Sequence, residues 1–218
     1  MRSKNRLLKI SCDGGAATGK STGAKMISKK YGLKFLSSGL LYRYASYLLI
    51  KYNSKNKIVF LKKKFKNLNL KKINKINLHT PKISSNSAII AKNNKIRNIL
   101  KKFQINFAKK NKSCCIEGRD ISTKILPNSD VKFFFVCNLN IAAYRRYKEL
   151  KKLDTKIKLV DVKKALKIRN ILDTSRKNSP LLKHRDSVEI DTGKLDKAAV
   201  LAKMSKYIER KIKNKYGD

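Results

Sequence analysis

Eight consecutive residues, Gly14-Gly15-Ala16-Ala17-Thr18-Gly19-Lys20-Ser21, carry the plainest chemistry in this chain. They match the phosphate-binding pattern G-x-x-x-x-G-K-S/T at every fixed position. Glycines at 14 and 19 permit backbone turns in which a Cβ would clash. Successive N–H groups then point into one concavity, and the start of the following helix adds a positive field. Lys20 has the charge and reach for the outer phosphates of a nucleoside triphosphate, and the Ser21 hydroxyl can ligate Mg²⁺. The residues expected to hold the triphosphate are therefore Gly14, Gly15, Ala16, Ala17, Thr18, Gly19, Lys20, Ser21 and Thr22.

Such a loop needs a strand before it and a helix after it. Residues 7–12 read as a short buried strand, and residues 22–30 as a helix. Gly32 reads as a helix stop before a strand that ends near residue 36. The pair Ser37-Ser38 is an N-cap signal for an apolar helix over residues 40–52. Residues 53–86 change character: Lys and Asn dominate, and Ile73, Ile76 and Leu78 nearly alternate. That pattern predicts a small insert with short strands, in which Pro81 limits regular structure. Residues 87–110 have helical apolar spacing, with a break expected at Asn93-Asn94.

Further strands are expected at residues 113–117, 131–137 and 187–190. Further helices are expected at residues 141–152, 160–171 and 195–213, with a polar loop over 173–180. Strands alternating with helices imply an α/β fold whose parallel sheet is covered on both faces. In such a sheet, ligands collect at the carboxyl ends of the strands. Four of these ends carry polar groups: Asp13, Ser37-Ser38, Glu117-Gly118-Arg119-Asp120 and Asp191-Thr192.

The chain has 218 residues, of which 41% are hydrophobic, enough for one domain with a real core. No apolar run reaches the ~20 residues of a membrane span. The basic segment Met1–Arg6 is followed by an apolar stretch too short for a signal peptide. Four cysteines and two histidines occur without C-x-x-C spacing, which argues against zinc and for free thiols in a reducing cytoplasm. The net charge of +41 raises the possibility of a nucleic-acid partner. However, Lys, Asn and Ile are all abundant and Trp is absent, as AT-rich coding bias would produce. The charge is also spread along the sequence, with no basic stripe interleaved with aromatics. The expected partners are small-molecule nucleotides. No specific nucleic acid and no membrane is expected, and the protein is expected to be monomeric.

Beyond the phosphate loop, the residues resemble a family. Ser38-Gly39-Leu40-Leu41-Tyr42-Arg43 is similar to the S/T-G-x-x-Y-R element of bacterial cytidylate kinases. Glu117-Gly118-Arg119-Asp120-Ile121-Ser122-Thr123 is similar to their D-G-R-D-I/M-G-T element. Arg169, Asp173, Arg176 and Pro180-Leu181 are similar to their lid pattern. The resemblance implies a three-layer P-loop kinase fold in a single domain, with a monophosphate-binding insert at residues 44–96 and a lid at 141–182. It also implies an ATP:(d)CMP phosphotransferase that uses ATP and Mg²⁺.

Roles follow from that resemblance. Arg43 and Arg119 are planar, permanently charged forks suited to the acceptor monophosphate. Ser38 is implied at the same site. Asp120 and Arg97 are implied to read the cytosine edge, an acid being the natural acceptor from its exocyclic amine. Asp173 and Arg176 are implied to grip the acceptor's sugar and phosphate. Lys20, Arg145, Arg146 and Arg176 are implied to stabilise the transferring group. Glu117 either ligates Mg²⁺ through water or pairs with Lys20. No side-chain nucleophile is needed, because an acceptor phosphate oxygen attacks directly.

The chain departs from the family pattern at Gly15, Ser37, Ala88, Ser122, Ala142 and Thr174, which bears on base selectivity and lid electrostatics. Two alternatives accompany this reading: another small-molecule P-loop kinase, or a basic nucleic-acid-binding protein that retains a phosphate loop.

Overall fold

In the computed structural model, which describes residues 7–73 and 75–217, five strands form one sheet in the order β2-β3-β1-β4-β5. The basic segment before Leu7 lies outside the described residues. The strands are β1 (Lys9–Gly14), β2 (Lys34–Ser37), β3 (Cys114–Gly118), β4 (Val131–Val136) and β5 (Val188–Asp191). β1 pairs in parallel with β3 on one side and with β4 on the other, and β4 pairs in parallel with β5. The expected α/β architecture is therefore present. Parallel strands need crossover connections, and helices supply them.

The chain forms two compact units, one made of Ser37–Lys110 and the other of the chain before and after it. In the sheet-bearing unit, α1 (Lys20–Lys30) and α9 (Lys197–Tyr216) pack on a shared core. Ile10, Cys12, Phe133, Phe135 and Ile190 from the strands meet Ile27, Met204 and Ile208 from the helices. Apart from Lys132, β4 is apolar, as strands buried on both faces usually are. Helices α7 (Leu139–Lys151) and α8 (Leu159–Ser175) pack on each other through Ala142, Ala143, Val162 and Leu166. The expected polar loop from residue 173 starts later, because α8 continues through Asp173 to Ser175.

The other unit is helical where short strands were expected. It contains α2 (Ser38–Tyr52), α3 (Lys57–Lys66), α4 (Leu70–Ile73), α5 (Pro81–Ile90) and α6 (Asn94–Lys110). Two local signals explain the difference. The Asn56 side chain accepts from Val59 N and caps α3, whose buried Leu61 and Phe65 stand one turn apart. Thr80 caps α5 by accepting from Ile83 N, and Pro81 occupies the first helical position, where its missing N–H has no cost. The near-alternating Ile73 and Leu78 are both buried, but one ends a helical turn and the other lies in a loop. The expected interruption near Asn93 is real and separates α5 from α6. Among the described residues, no helix is long and apolar enough to cross a membrane.

Candidate active site

The phosphate loop runs from the end of β1 into α1 with the backbone its glycines require. Gly14 has φ 152° and Gly19 has φ 76°, conformations that L side chains rarely adopt. A Cβ on Gly14 would drive into the carbonyl of Phe135. Gly19 caps α1 without a side-chain acceptor, and no acid occupies the first helical turn. That end of the helix thus presents unsatisfied N–H groups to an anion.

Lys20 is 7% exposed. Its ammonium donates to Gly15 O at 3.1 Å and lies 3.7 Å from Glu117 Oε2 at the end of β3. Glu117 is thus within ion-pairing distance of Lys20. Ser21 is half-buried and Thr22 is exposed on the first turn of α1. Among the described residues, no cluster of three His, Cys, Asp or Glu forms a metal cage. Ser21 with substrate phosphates and water nevertheless suits Mg²⁺, which retains several waters and needs few protein ligands.

Two side chains that sequence reasoning did not assign to the site hold this loop in place. The Thr192 hydroxyl, just past β5, donates to Thr18 O at 2.9 Å. Asn170 of α8 accepts from Ala16 N at 3.3 Å. Thr192 was legible as a polar strand end, whereas Asn170 is marked only by its place beside Arg169 in the lid pattern.

Arg145 acts on the same support. It donates to Thr192 Oγ1 at 3.0 Å and to Thr192 O at 2.7 Å, so it braces the β5 end against the loop. Arg146 donates to Glu149 at 2.8 Å, an exposed i,i+3 pair one turn along the helix. The adjacent arginines thus have different surroundings.

Beside the loop, the carboxyl end of β3 carries Arg119 and Asp120. Arg119 Nε donates to Asp173 Oδ2 at 2.7 Å, and Arg176 Nη1 donates to Asp173 Oδ1 at 3.2 Å. Arg176 Nε also reaches Ser179 O at 2.5 Å. Burial alone would raise the Asp173 pKa, but Arg119, Arg169 and Arg176 together hold it below its ordinary value. This carboxylate pre-orients two arginine forks. Asp120 is 5% exposed at the start of a π-helical turn, Ile121–Ile125, and its side chain does not cap that turn.

Asp13 provides that cap. Its carboxylate accepts from Ile121 N at 2.8 Å, Ser122 N at 2.7 Å and Ser122 Oγ at 2.6 Å. The serine at a family glycine position thus adds a third donor, and the end of β1 is tied to the segment that presents Arg119 and Asp120. Burial pushes the Asp13 pKa up to about 6, against the lowering effect of the Ser122 and Ile121 donors. Its folded pKa therefore lies above the ordinary 3.8, and between those values the folded protein keeps a proton that the unfolded chain has released. Asp13 adds stability at low pH and loses that contribution as pH rises through 6. We predict that the stability difference between wild type and Asp13→Asn shrinks from pH 4.5 to pH 7.5, by about 1–3 kcal/mol in urea unfolding. A difference that grows with pH would contradict the assignment.

Residues 10–210 match the model of the family described as cytidylate kinase. The chain belongs to the cytidylate kinase family. It is 34% identical to the cytidylate kinase of Rickettsia africae over 207 residues, covering 93% of this chain and 92% of that one. It is likewise 34% identical to the cytidylate kinase of Thermosipho melanesiensis, covering 94% and 98% of the two chains. Among solved structures, an uncharacterized protein from Eubacterium ventriosum superposes with TM-score 0.56 at 17% identity, covering 94% of this chain and 99% of that one. A Thermus thermophilus protein superposes with TM-score 0.52 at 13% identity, covering 94% and 98%. These likenesses support the fold.

The cytidylate kinase elements are divided between the two units. Lys20, Arg119, Asp120, Arg145, Arg146, Asp173 and Arg176 belong to the sheet-bearing unit. Ser38, Arg43 and Arg97 belong to the helical unit. Ser37 caps α2 by accepting from Leu40 N at 3.2 Å, which leaves Ser38 buried in the first turn and Arg43 half-buried on the same helix. Arg97 is 7% exposed, donates to Ala91 O at 3.2 Å, and lies over the Tyr42 ring at 5.7 Å. It thus anchors the turn between α5 and α6 to α2.

Proposed function

We propose that this cytidylate kinase transfers the γ-phosphoryl group of ATP to CMP or dCMP, giving CDP or dCDP. The observation that carries the reading lies within one unit. A phosphate loop with a nearly buried Lys20 stands beside a strand end whose Arg119 is already aligned by Asp173 with Arg176. The loop amides and Lys20 would hold the donor phosphates. Ser21 would hold Mg²⁺, which supplies charge neutralisation on those phosphates.

On the acceptor side, Arg43 and Ser38, which precede the insert at residues 44–96, are proposed to bind substrate, and Arg119 and Arg176 would fix its monophosphate. Its oxygen would then stand in line with the γ-phosphorus. Positioning of this kind is most of the catalysis in phosphoryl transfer. Asp120 accepts from the cytosine amine, Arg97 supports the base pocket, and Asp173 shifts from its arginines toward the acceptor sugar as the lid at 141–182 closes. Arg145 and Arg146 add positive charge on the lid side, Arg145 through the β5 end that it braces. The enzyme acts as a monomer in the cytoplasm.

A coupled ADP-release assay across CMP, dCMP, UMP, AMP and shikimate tests this reading. CMP and dCMP should turn over at least about tenfold faster than UMP, as a hydrogen-bonded base edge predicts. Turnover confined to AMP or to shikimate would overturn it.

A further inference from the structure

The helical unit Ser37–Lys110 contains 19 Lys and Arg and no Asp or Glu; all 14 acids of the chain lie elsewhere. The catalytic reading uses only Arg43 and Arg97 of these cations. Folding also joins lysines and rings of α2 to those of α3. Two lysines alternate with three aromatic rings across α2 and α3. Lys51 Nζ lies 5.7 Å from the Tyr47 ring and 5.6 Å from the Tyr52 ring. Lys64 Nζ lies 5.1 Å from Tyr52 and 5.6 Å from Phe60. The Tyr52 and Phe60 rings are themselves 5.5 Å apart, and Tyr52 is 50% exposed.

Lys57, in the first turn of α3, lines a cavity of about 600 Å³ together with Lys55, Asn56 and Asn93, among others. Each of these asparagines uses its side-chain oxygen on a backbone amide, which leaves its NH₂ as a donor. Cations without interspersed acids suit a phosphate backbone, and the exposed Tyr52 ring, flanked by the half-buried Tyr47 and Phe60, suits bases, which have a π-face whatever their identity. An acidic protein surface would need the charge but not the rings.

We propose that this face binds single-stranded nucleic acid without regard to sequence, its lysines meeting phosphates and its rings stacking on bases. This binding is separate from the transfer reaction and uses none of its residues.

The full-length protein is titrated against fluorescent 20-mers of oligo(U) and oligo(dT), with NaCl varied. A 20-bp duplex and phosphatidylglycerol vesicles serve as competitors. Because the whole chain is basic, Lys206→Gln/Lys213→Gln on α9 is the charge-matched control for Lys51→Gln/Lys64→Gln. We expect Tyr52→Ala to weaken binding about 5- to 150-fold, the cost of losing one stacked base. Lys51→Gln/Lys64→Gln should flatten the salt slope by about 1.4, and the control pair should leave it nearly unchanged. The oligomer preferred shows whether the ligand is RNA or DNA. Turnover of CMP and the thermal midpoint of each variant show that it is folded. Equal losses from the two lysine pairs, an unchanged affinity in Tyr52→Ala, or displacement by vesicles ahead of single strands would overturn the proposal.

Discussion

Replacing Lys20 with alanine is expected to lower kcat by about 10³-fold, in line with removing one preorganised donor from a transition state that develops charge. The magnitude follows from the setting. Lys20 is 7% exposed and its ammonium is held at the loop by Gly15 O and Glu117, so it acts where little water screens its charge. A lysine free in water would contribute far less. The sheet core is built from Ile10, Ile27, Phe133 and Phe135, none of which depends on Lys20, so the variant should keep its far-UV circular dichroism and a cooperative melt. Stopped-time measurement of CDP formation gives the rate. Wild-type turnover in a folded Lys20→Ala protein would remove the phosphate loop from the mechanism.

Arg119→Ala should be the second most damaging change. Arg119 is aligned by Asp173, and its loss removes one planar phosphate fork. We expect kcat/KM for CMP to fall at least about 10²-fold, the effect of misplacing a reacting group by an ångström. The KM for ATP should change little, because no donor-side contact of the phosphate loop involves Arg119. Arg119→Lys should recover little of the loss, since a point charge does not reproduce a planar two-pronged donor. Equal losses for CMP and ATP would mean that Arg119 supports the fold and does not hold the acceptor.

The parts of this site that were legible in the sequence are those whose chemistry is local. The phosphate loop, its flanking strand and helix, and the Arg119-Asp120 turn are contiguous segments, and few structural roles other than binding phosphate demand their residue types in that order. The braces were not legible. Asp13 and Ser122 are over 100 positions apart, and Arg145 and Thr192 are 47 apart. No periodicity announces such pairs, because the sheet order brings them together. Residues 53–86 mislead for a different reason. Their apolar residues are sparse among Lys and Asn, so alternation at Ile73, Ile76 and Leu78 outweighs the capping roles of Asn56 and Thr80. Pro81 reads as a breaker, yet it starts a helix. Ser122, a departure from the family pattern, has a physical role. The hydroxyl that replaces a family glycine gives Asp13 a hydrogen-bond donor.

The most direct test is a crystal structure with CMP and a non-hydrolysable ATP analogue bound together. The triphosphate is expected along Gly14–Ser21 with Lys20 on its outer phosphates. The CMP phosphate is expected on Arg43 and Arg119, and the cytosine amine on Asp120. CMP bound elsewhere, or any of those three side chains turned away from it, would contradict the cytidylate kinase mechanism proposed for this chain.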